Sequence, residues 1–272
     1  MIKRRYAMKS YANATNLKYF AVILMVLDHI HQMFYEFGAP IWLTAFGRLV
    51  FPIFLFLFAD SFYYTRSRKK LITRLLLMSW LMSIGNFVIG NLFDNGHIGL
   101  MNNAFSAFLV VAILDSGWDR MVDSIKEKST KNFFIGFFIF ILPVLLSIIV
   151  LALGTLVSGE GAISPILTQL ISLLMLMIPN LVTIEGGYIM VLLGLILYIF
   201  RNNRKIQFLA ILIAGLLSFY FDKSGIQWMM VFSIIPLYFY NGERGKGNKN
   251  FFYIFYPTHI YLLYIMASLL HG

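Results

Sequence analysis

Cysteine is absent from the 272 residues of the chain. That excludes disulfides, thiolate-bound zinc, iron–sulfur clusters and cysteine nucleophiles, and leaves the redox compartment unmarked. Charge is scarce: Asp, Glu, Lys and Arg make up 12% of the residues, about half the share of an ordinary soluble domain. Acidic residues are the scarcer sign, 12 against 22 Lys and Arg. Strand-like alternation of polar and apolar residues is also missing, which excludes an outer-membrane barrel. What fills the chain instead is apolar sequence in long runs, 60% of all residues with 17% aromatic and a mean hydropathy of +0.78. Disorder requires the opposite composition, and a soluble globule could not keep so much apolar area from water. At about 20 residues per helical span, the length allows roughly ten spans and little else. The composition therefore predicts an all-α polytopic membrane protein, with 1–272 as a single integral-membrane domain that begins with a short basic segment, 1–16.

Apolar stretches fall at 17–37, 41–64, 71–91, 99–115, 133–157, 163–179, 186–200, 206–221, 226–240 and 251–270. No small-residue cleavage site closes the first, so it reads as a retained helix rather than a signal peptide. The basic residues fall into five clusters in alternate gaps: Lys3, Arg4, Arg5, Lys9 and Lys18; Arg66, Arg68, Lys69, Lys70 and Arg74; Arg120, Lys126, Lys128 and Lys131; Arg201, Arg204 and Lys205; Arg244, Lys246 and Lys249. Only Arg48 and Lys223 lie elsewhere. The positive-inside rule puts all five clusters, and the N-terminus, in the cytoplasm, which explains the net charge of +10 without invoking nucleic acid. The remaining loops carry Glu36, Asp94, His97, Glu160, Asp222 and Lys223, suited to the outside. Three apolar stretches separate Lys131 from Arg201, although an even number of crossings is required between them. The middle one, 163–179, is short and ends in Pro-Asn, so it reads as a re-entrant or half-buried segment covered by protein. The result is roughly nine full spans with the C-terminus outside; ten is the alternative.

Ionisable residues within apolar helices are costly and are functional candidates by default. Here they are Asp28, His29, His31, Arg48, Asp60, Glu185 and His259, each with a structural alternative as an ion pair or interhelical clasp. Lys18 and His29 are eleven residues apart, or three turns plus about 20° at 100° per residue. They share one helix face with a rise of about 16 Å, comparable to the extended pantetheine arm of coenzyme A. Arg48 enters the second stretch to roughly the depth of Asp28, and an uncompensated guanidinium there predicts an Asp28–Arg48 pair. A direct Asp28–His29 bond is not expected, since adjacent helix positions diverge by about 100°. His259 stands at about the level of His29, two residues after Pro257, which removes a backbone donor and favours a kink. The preceding Gly-rich basic loop, Arg244 to Lys249, suits a phosphate held by backbone N–H groups and cations, or is a plain turn. It lacks Walker spacing. No metal-ligand cluster is evident, and His29 and His31 point to different sides of their helix.

Three blocks, LKYFAVILMVLDHIHQMF, FGRLVFPIFLFLFADSFYYTRSRKKLITRLL and YNGERGKGNKNFFYIFYPTHIYLLY, together resemble the TraX family of bacterial membrane acetyltransferases over about the first 80 and last 90 residues. The resemblance implies a multi-pass protein of the bacterial cytoplasmic membrane that moves an acetyl group from cytosolic acetyl-CoA to a pilin, peptide or envelope glycan. A distant likeness to acyltransferase-3 proteins, which use Arg-X10-His on helix one, implies matching positions at Lys18 and His29, with Lys in place of Arg. On this reading His29 is general base or acyl carrier, Asp28 orients it or neutralises Arg48, and Arg48 or His259 polarises the thioester or positions the acceptor. Lys18, Arg244, Lys246, Lys249 and Tyr256 contact CoA, and no metal or nucleic acid takes part. Two alternatives remain: a small-solute or proton-coupled transporter built on the same residues, and a non-catalytic assembly protein.

Overall fold

Short polar side chains set the helix starts. Asn13 accepts a hydrogen bond from the Asn16 amide (3.0 Å) and opens α1 (Ala14–Phe34). Ser67 opens α4 (Arg68–Leu92) and Asn103 opens α5 (Ala104–Lys126) in the same way. Ser164 does so for α7 (Pro165–Met177) and Asn203 for α9 (Arg204–Phe221). Each side-chain oxygen takes up an N–H that the first turn leaves without a helical partner. Between them lie α2 (Trp42–Gly47), α3 (Val50–Tyr63), α6 (Thr130–Ser158) and α8 (Gly187–Ile199). A 3₁₀ stretch (Gln227–Ser233), α10 (Ile234–Tyr238) and α11 (Lys249–His271) complete the chain. This computed structural model describes residues 12–158 and 164–271. Lys3, Arg4, Arg5, Lys9 and Glu160 lie outside the described residues, as does the Lys249 side chain.

Among the described residues there is no β-strand, and five helical stretches are long and apolar enough to cross a membrane: Trp42–Tyr63, Arg68–Leu92, Thr130–Ser158, Arg204–Phe221 and Asn250–His271. The other apolar stretches differ for identifiable reasons. α1 has the length, 21 residues, but Lys18, Asp28, His29 and His31 lower its hydropathy. α5 runs well beyond the apolar 99–115 and carries Asp115, Asp119, Arg120, Asp123 and Lys126 on its second half. α7 and α8 have 13 residues each, about 20 Å of rise against a hydrocarbon core of about 30 Å.

The chain divides into two compact units, 1–58 with 200–272 and 59–199, the boundary falling within α3. In the first unit α1 and α11 lie side by side and run in the same direction. Lys18 Nζ sits 5.8 Å from the centre of the Phe252 ring, His29 meets His259, and His271 Nε2 lies 2.9 Å from Glu36 Oε2. Their basic starts are stitched together. Thr15 Oγ1 is within 2.9 Å and 3.0 Å of the Arg244 and Lys246 carbonyls, and the Ala14 amide donates to the Glu243 carbonyl (2.8 Å). Gly245 has φ +70°, and a Cβ there would overlap Asn13, so the loop is shaped to fit the start of α1.

In the second unit α5 and α6 approach through small residues. A Cβ on Gly117 would lie 2.6 Å from the Phe140 nitrogen, and one on Gly136 would lie 2.8 Å from that of Met121. Such close approach is how helices associate where lipid is as apolar as leucine. The 163–179 stretch is short and half-buried, as expected: no α7 residue is fully buried, but Trp80 Nε1 and Ser83 Oγ of α4 donate to the Met177 and Leu176 carbonyls (3.0 and 3.1 Å) at its end. Beyond it, at residues 178–186, the backbone is irregular. Asn180, fully buried, accepts from the Val182 and Thr183 amides (2.7 and 2.9 Å) and donates to the Ile178 carbonyl (2.7 Å). Ser147 Oγ accepts from the Leu181 amide (2.8 Å). These bonds satisfy a non-helical backbone that hydrocarbon alone could not.

Candidate functional site

The polar residues of α1 leave the helix in two directions, because successive positions are 100° apart. Asp28 turns towards α2 and the chain just after it. Arg48 Nη2 lies 2.9 Å and 3.1 Å from the two Asp28 oxygens, and the side chains remain 29% and 20% exposed. Thr44 completes the group: its Oγ1 donates to Asp28 Oδ1 and accepts from Arg48 Nη2 (2.9 Å), and its carbonyl accepts from Arg48 Nε (3.2 Å). Arg48 Nη1 donates to Gln227 Oε1 (3.0 Å). The pair expected from matched depths is therefore present, and four of the five guanidinium N–H groups are engaged by it and its neighbours. Helical regularity lapses at Arg48 and Leu49, between α2 and α3. A side chain on Gly47 would overlap the Asp28 carboxyl group.

His29 turns the other way, towards α11. Its Nδ1 is 2.7 Å from His259 Nε2, and the rings stack with centroids 4.9 Å apart. Both are buried, at 4% and 7% exposure. His259 Nδ1 is 2.8 Å from the Phe255 carbonyl, which can only accept, so that nitrogen carries a proton. In the neutral ring His259 Nε2 is then the acceptor, and His29 Nδ1 donates to it. The basic lone pair of His29 is thereby placed on Nε2. Phe255 stacks on His259 (4.8 Å) and Tyr256 meets it edge-on (5.9 Å). Tyr256 thus stands beside the histidine pair and not in the basic loop. Lys18 and His29, placed on one face by their spacing, do face the same neighbour, α11.

His31 Nδ1 donates to the Ala39 carbonyl (3.0 Å) and ties the end of α1 to the following turn. A cavity of about 450 Å³ opens beside the Asp28–Arg48 pair, with Gln32, Tyr35 and Ile226 also in its wall. At the other end of α1, the Arg244 and Lys246 side chains are exposed while their carbonyls are held by Thr15.

Asp60, half-buried in α3, lies in the second unit, as do two further ionisable groups. Glu185 Oε2 accepts from the Asn103 amide (2.6 Å), and Asn103 Nδ2 donates to the Ser79 carbonyl (3.0 Å), which makes Glu185 part of the α5 start. The other is a group that sequence reasoning missed. Arg68 Nη2 is 2.6 Å from Asp119 Oδ2, Tyr198 donates to the same oxygen, and the guanidinium lies 5.0 Å from the centre of the Phe62 ring. Asp115, one turn before Asp119, is fully buried. The only sequence signal was two aspartates four apart on one helix face; Arg68 itself was read as part of a basic loop.

No curated protein and no solved structure matches the chain. The TraX protein family matches residues 13–267, a range that contains α1, Arg48, the basic loop and His259, and the chain is a membrane protein of the TraX family.

Proposed function

We propose that this protein is a membrane-bound acetyltransferase that moves an acetyl group from cytosolic acetyl-CoA to a hydroxyl or amine on a membrane-accessible or extracytoplasmic acceptor. The observation that carries the reading is the buried histidine pair, whose tautomers leave a basic nitrogen on His29. His29 Nε2 takes the proton of the acceptor as its oxygen or nitrogen attacks the thioester carbonyl carbon. A C–O or C–N bond forms and the C–S bond breaks. The proton passes from His29 to the departing thiolate, giving free CoA. His259 holds the tautomer and keeps its hydrogen bond to the imidazolium that forms in between. Arg48, with most of its donors engaged, serves as a positioning group through Asp28.

The donor enters from the basic end of α1. Lys18, Arg244 and Lys246 surround that end, Lys249 follows them in sequence, and His29 lies about 16 Å further along the same face. The parallel course of α1 and α11 supports an odd number of crossings, with the N-terminus cytoplasmic and the C-terminus outside. A reporter fused after Lys249 is expected to read cytoplasmic and one after Gly272 extracytoplasmic; a cytoplasmic signal at Gly272 overturns that topology.

Replacing Lys246 and Lys249 together by Gln is expected to raise the KM for acetyl-CoA on the order of tenfold, two exposed charge contacts being worth about 0.5–1 kcal/mol each. Folding should be unaffected, because Thr15 grips carbonyls of the loop and not its side chains. An unchanged KM would leave the loop a topology signal only. The reading as a whole is tested by acetyl-CoA binding to purified protein, with thioester loss on adding envelope extract. Mass spectrometry should then show acceptors 42 Da heavier, the mass of an acetyl group replacing a proton. A protein that binds no acetyl-CoA is not this enzyme.

A further inference from the structure

The basic end of α1 holds more than charge. Three aromatic rings meet there. Tyr19 of α1 lies 5.4 Å from Phe251 and 5.3 Å from Phe252 of α11, and the two Phe rings are 5.2 Å apart. Their planes cross at 53°, 43° and 82°, so the rings form a corner and not a stack. None is fully buried: Tyr19 keeps 36% exposure and both Phe rings are half-buried. The Tyr19 hydroxyl accepts from Asn248 Nδ2 (3.0 Å), a bond that fixes the ring. Helices are anchored at a membrane boundary chiefly by Trp and Tyr, whereas two of these three rings are Phe.

Cations border the corner. Lys18 Nζ lies 5.8 Å from the centre of the Phe252 ring. Thr15, one turn before Tyr19, grips the carbonyls of Arg244 and Lys246, whose side chains are exposed. Aromatic faces beside cations suit a planar base that carries phosphates, the base stacking on a ring and the phosphates pairing with Lys and Arg. A phosphorylated thioester without a base would use the cations and leave the rings idle.

An aromatic row leads from the corner to the histidine pair. Phe251, Phe255 and His259 succeed one another at four-residue spacing on one face of α11. Their ring centres are 5.1 and 4.8 Å apart with planes at 25° and 12°, and His29 stacks on His259 at 4.9 Å. Tyr19 and His29 are ten residues apart on α1, about 15 Å of rise. A ligand anchored at the corner is therefore about one pantetheine arm from His29.

We propose that the corner of Tyr19, Phe251 and Phe252 holds the adenine of the acetyl donor, and so selects CoA over a phosphopantetheine thioester that lacks the nucleotide. The proposal rests on the acetyltransferase reading for what the nucleotide delivers, but not for its binding.

The test uses full-length protein in lipid nanodiscs. Nucleotide binding is read without acetyl-CoA, by saturation transfer to the adenine protons of adenosine 3′,5′-bisphosphate. Acetyl transfer is read as thiol release with envelope extract as acceptor, from acetyl-CoA and from S-acetyl phosphopantetheine, which keeps the arm, the thioester and a phosphate. The parent is expected to bind the bisphosphate and to use acetyl-CoA at least about tenfold better in kcat/KM, the value of one base–aromatic stack. Tyr19→Leu and Phe252→Leu should each weaken bisphosphate binding about tenfold and shrink the advantage of acetyl-CoA by the same factor. Tyr19→Trp, which keeps a ring, should retain both within about threefold and so separates stacking from a failure to fold. If Tyr19→Leu releases a bisphosphate that the parent binds, but no acetyl group moves in the parent, the nucleotide site stands and the acetyltransferase reading falls. If both donors serve equally, or the advantage of acetyl-CoA survives both Leu substitutions, that reading stands and the corner is not the adenine site. A parent that binds no bisphosphate, or a Trp variant as poor as the Leu one, also overturns the proposal.

Discussion

Exchanging His29 for Ala is expected to lower acetyl transfer by about 10²–10⁴-fold, the usual contribution of a positioned general base, with acetyl-CoA affinity nearly unchanged. The basic end of α1, where we propose the CoA phosphates bind, is about 16 Å away and makes no use of the imidazole. His29→Gln is the sharper experiment. A Gln amide can still donate to His259 Nε2, so the clasp between α1 and α11 survives, but nothing at that position can accept and release a proton. Turnover of the Gln variant should therefore fall almost as far as that of Ala, measured as CoA thiol release at saturating acetyl-CoA. Near wild-type turnover in the Gln variant would remove His29 as the base and leave the pair a structural clasp.

The second large effect is on stability. Arg48→Ala strands the Asp28 carboxylate on a helix whose surroundings are largely apolar. Breaking a fully buried pair costs about 3–5 kcal/mol. Since these side chains keep 29% and 20% of their exposure, about 2–3 kcal/mol is the appropriate expectation. Melting in detergent should show a clear drop for Arg48→Ala. The double variant Asp28→Asn/Arg48→Ala should recover more than half of it, because the charge that remained is also removed. A double variant as unstable as the single one would mean that Arg48 stabilises through packing and its bond to Gln227, and not through Asp28.

Much of this arrangement was legible in the sequence because it depends on one helix at a time. Helical periodicity alone put Lys18 and His29 on one face, and they do look at the same neighbour. Charge placement grouped Lys18 with the loop from Arg244 to Lys249, and that loop is stitched to the start of α1 through Thr15 and Ala14. Depth matching predicted the Asp28–Arg48 pair, since an uncompensated guanidinium in hydrocarbon has few alternatives. The shortness of 163–179 was equally plain.

Neighbourhood was not legible. His29 and His259 are 230 residues apart in sequence; equal depth gives them a common height but does not say which helix faces which. In lipid, apolar surfaces do not discriminate between partners, so adjacency is decided by close packing at positions such as Gly117 and Gly136 and by polar contacts between distant segments. The union of Arg68, Asp119 and Tyr198 is not legible either, because a cation in a basic loop and an aspartate beyond an apolar run both read as solvated charges. The bonds by which Asn180 and Ser147 hold the irregular chain after 163–179 join segments distant in sequence or non-helical, and periodicity gives no sign of them. The sequence thus determined membrane residence, helix faces, the grouping of charge between apolar stretches and the residues rich in chemistry, all of which follow from composition and a fixed 100° step. Only the tertiary structure decided which of those residues touch, and hence which nitrogen of His29 holds the lone pair, because the hydrogen bond that fixes it comes from another helix.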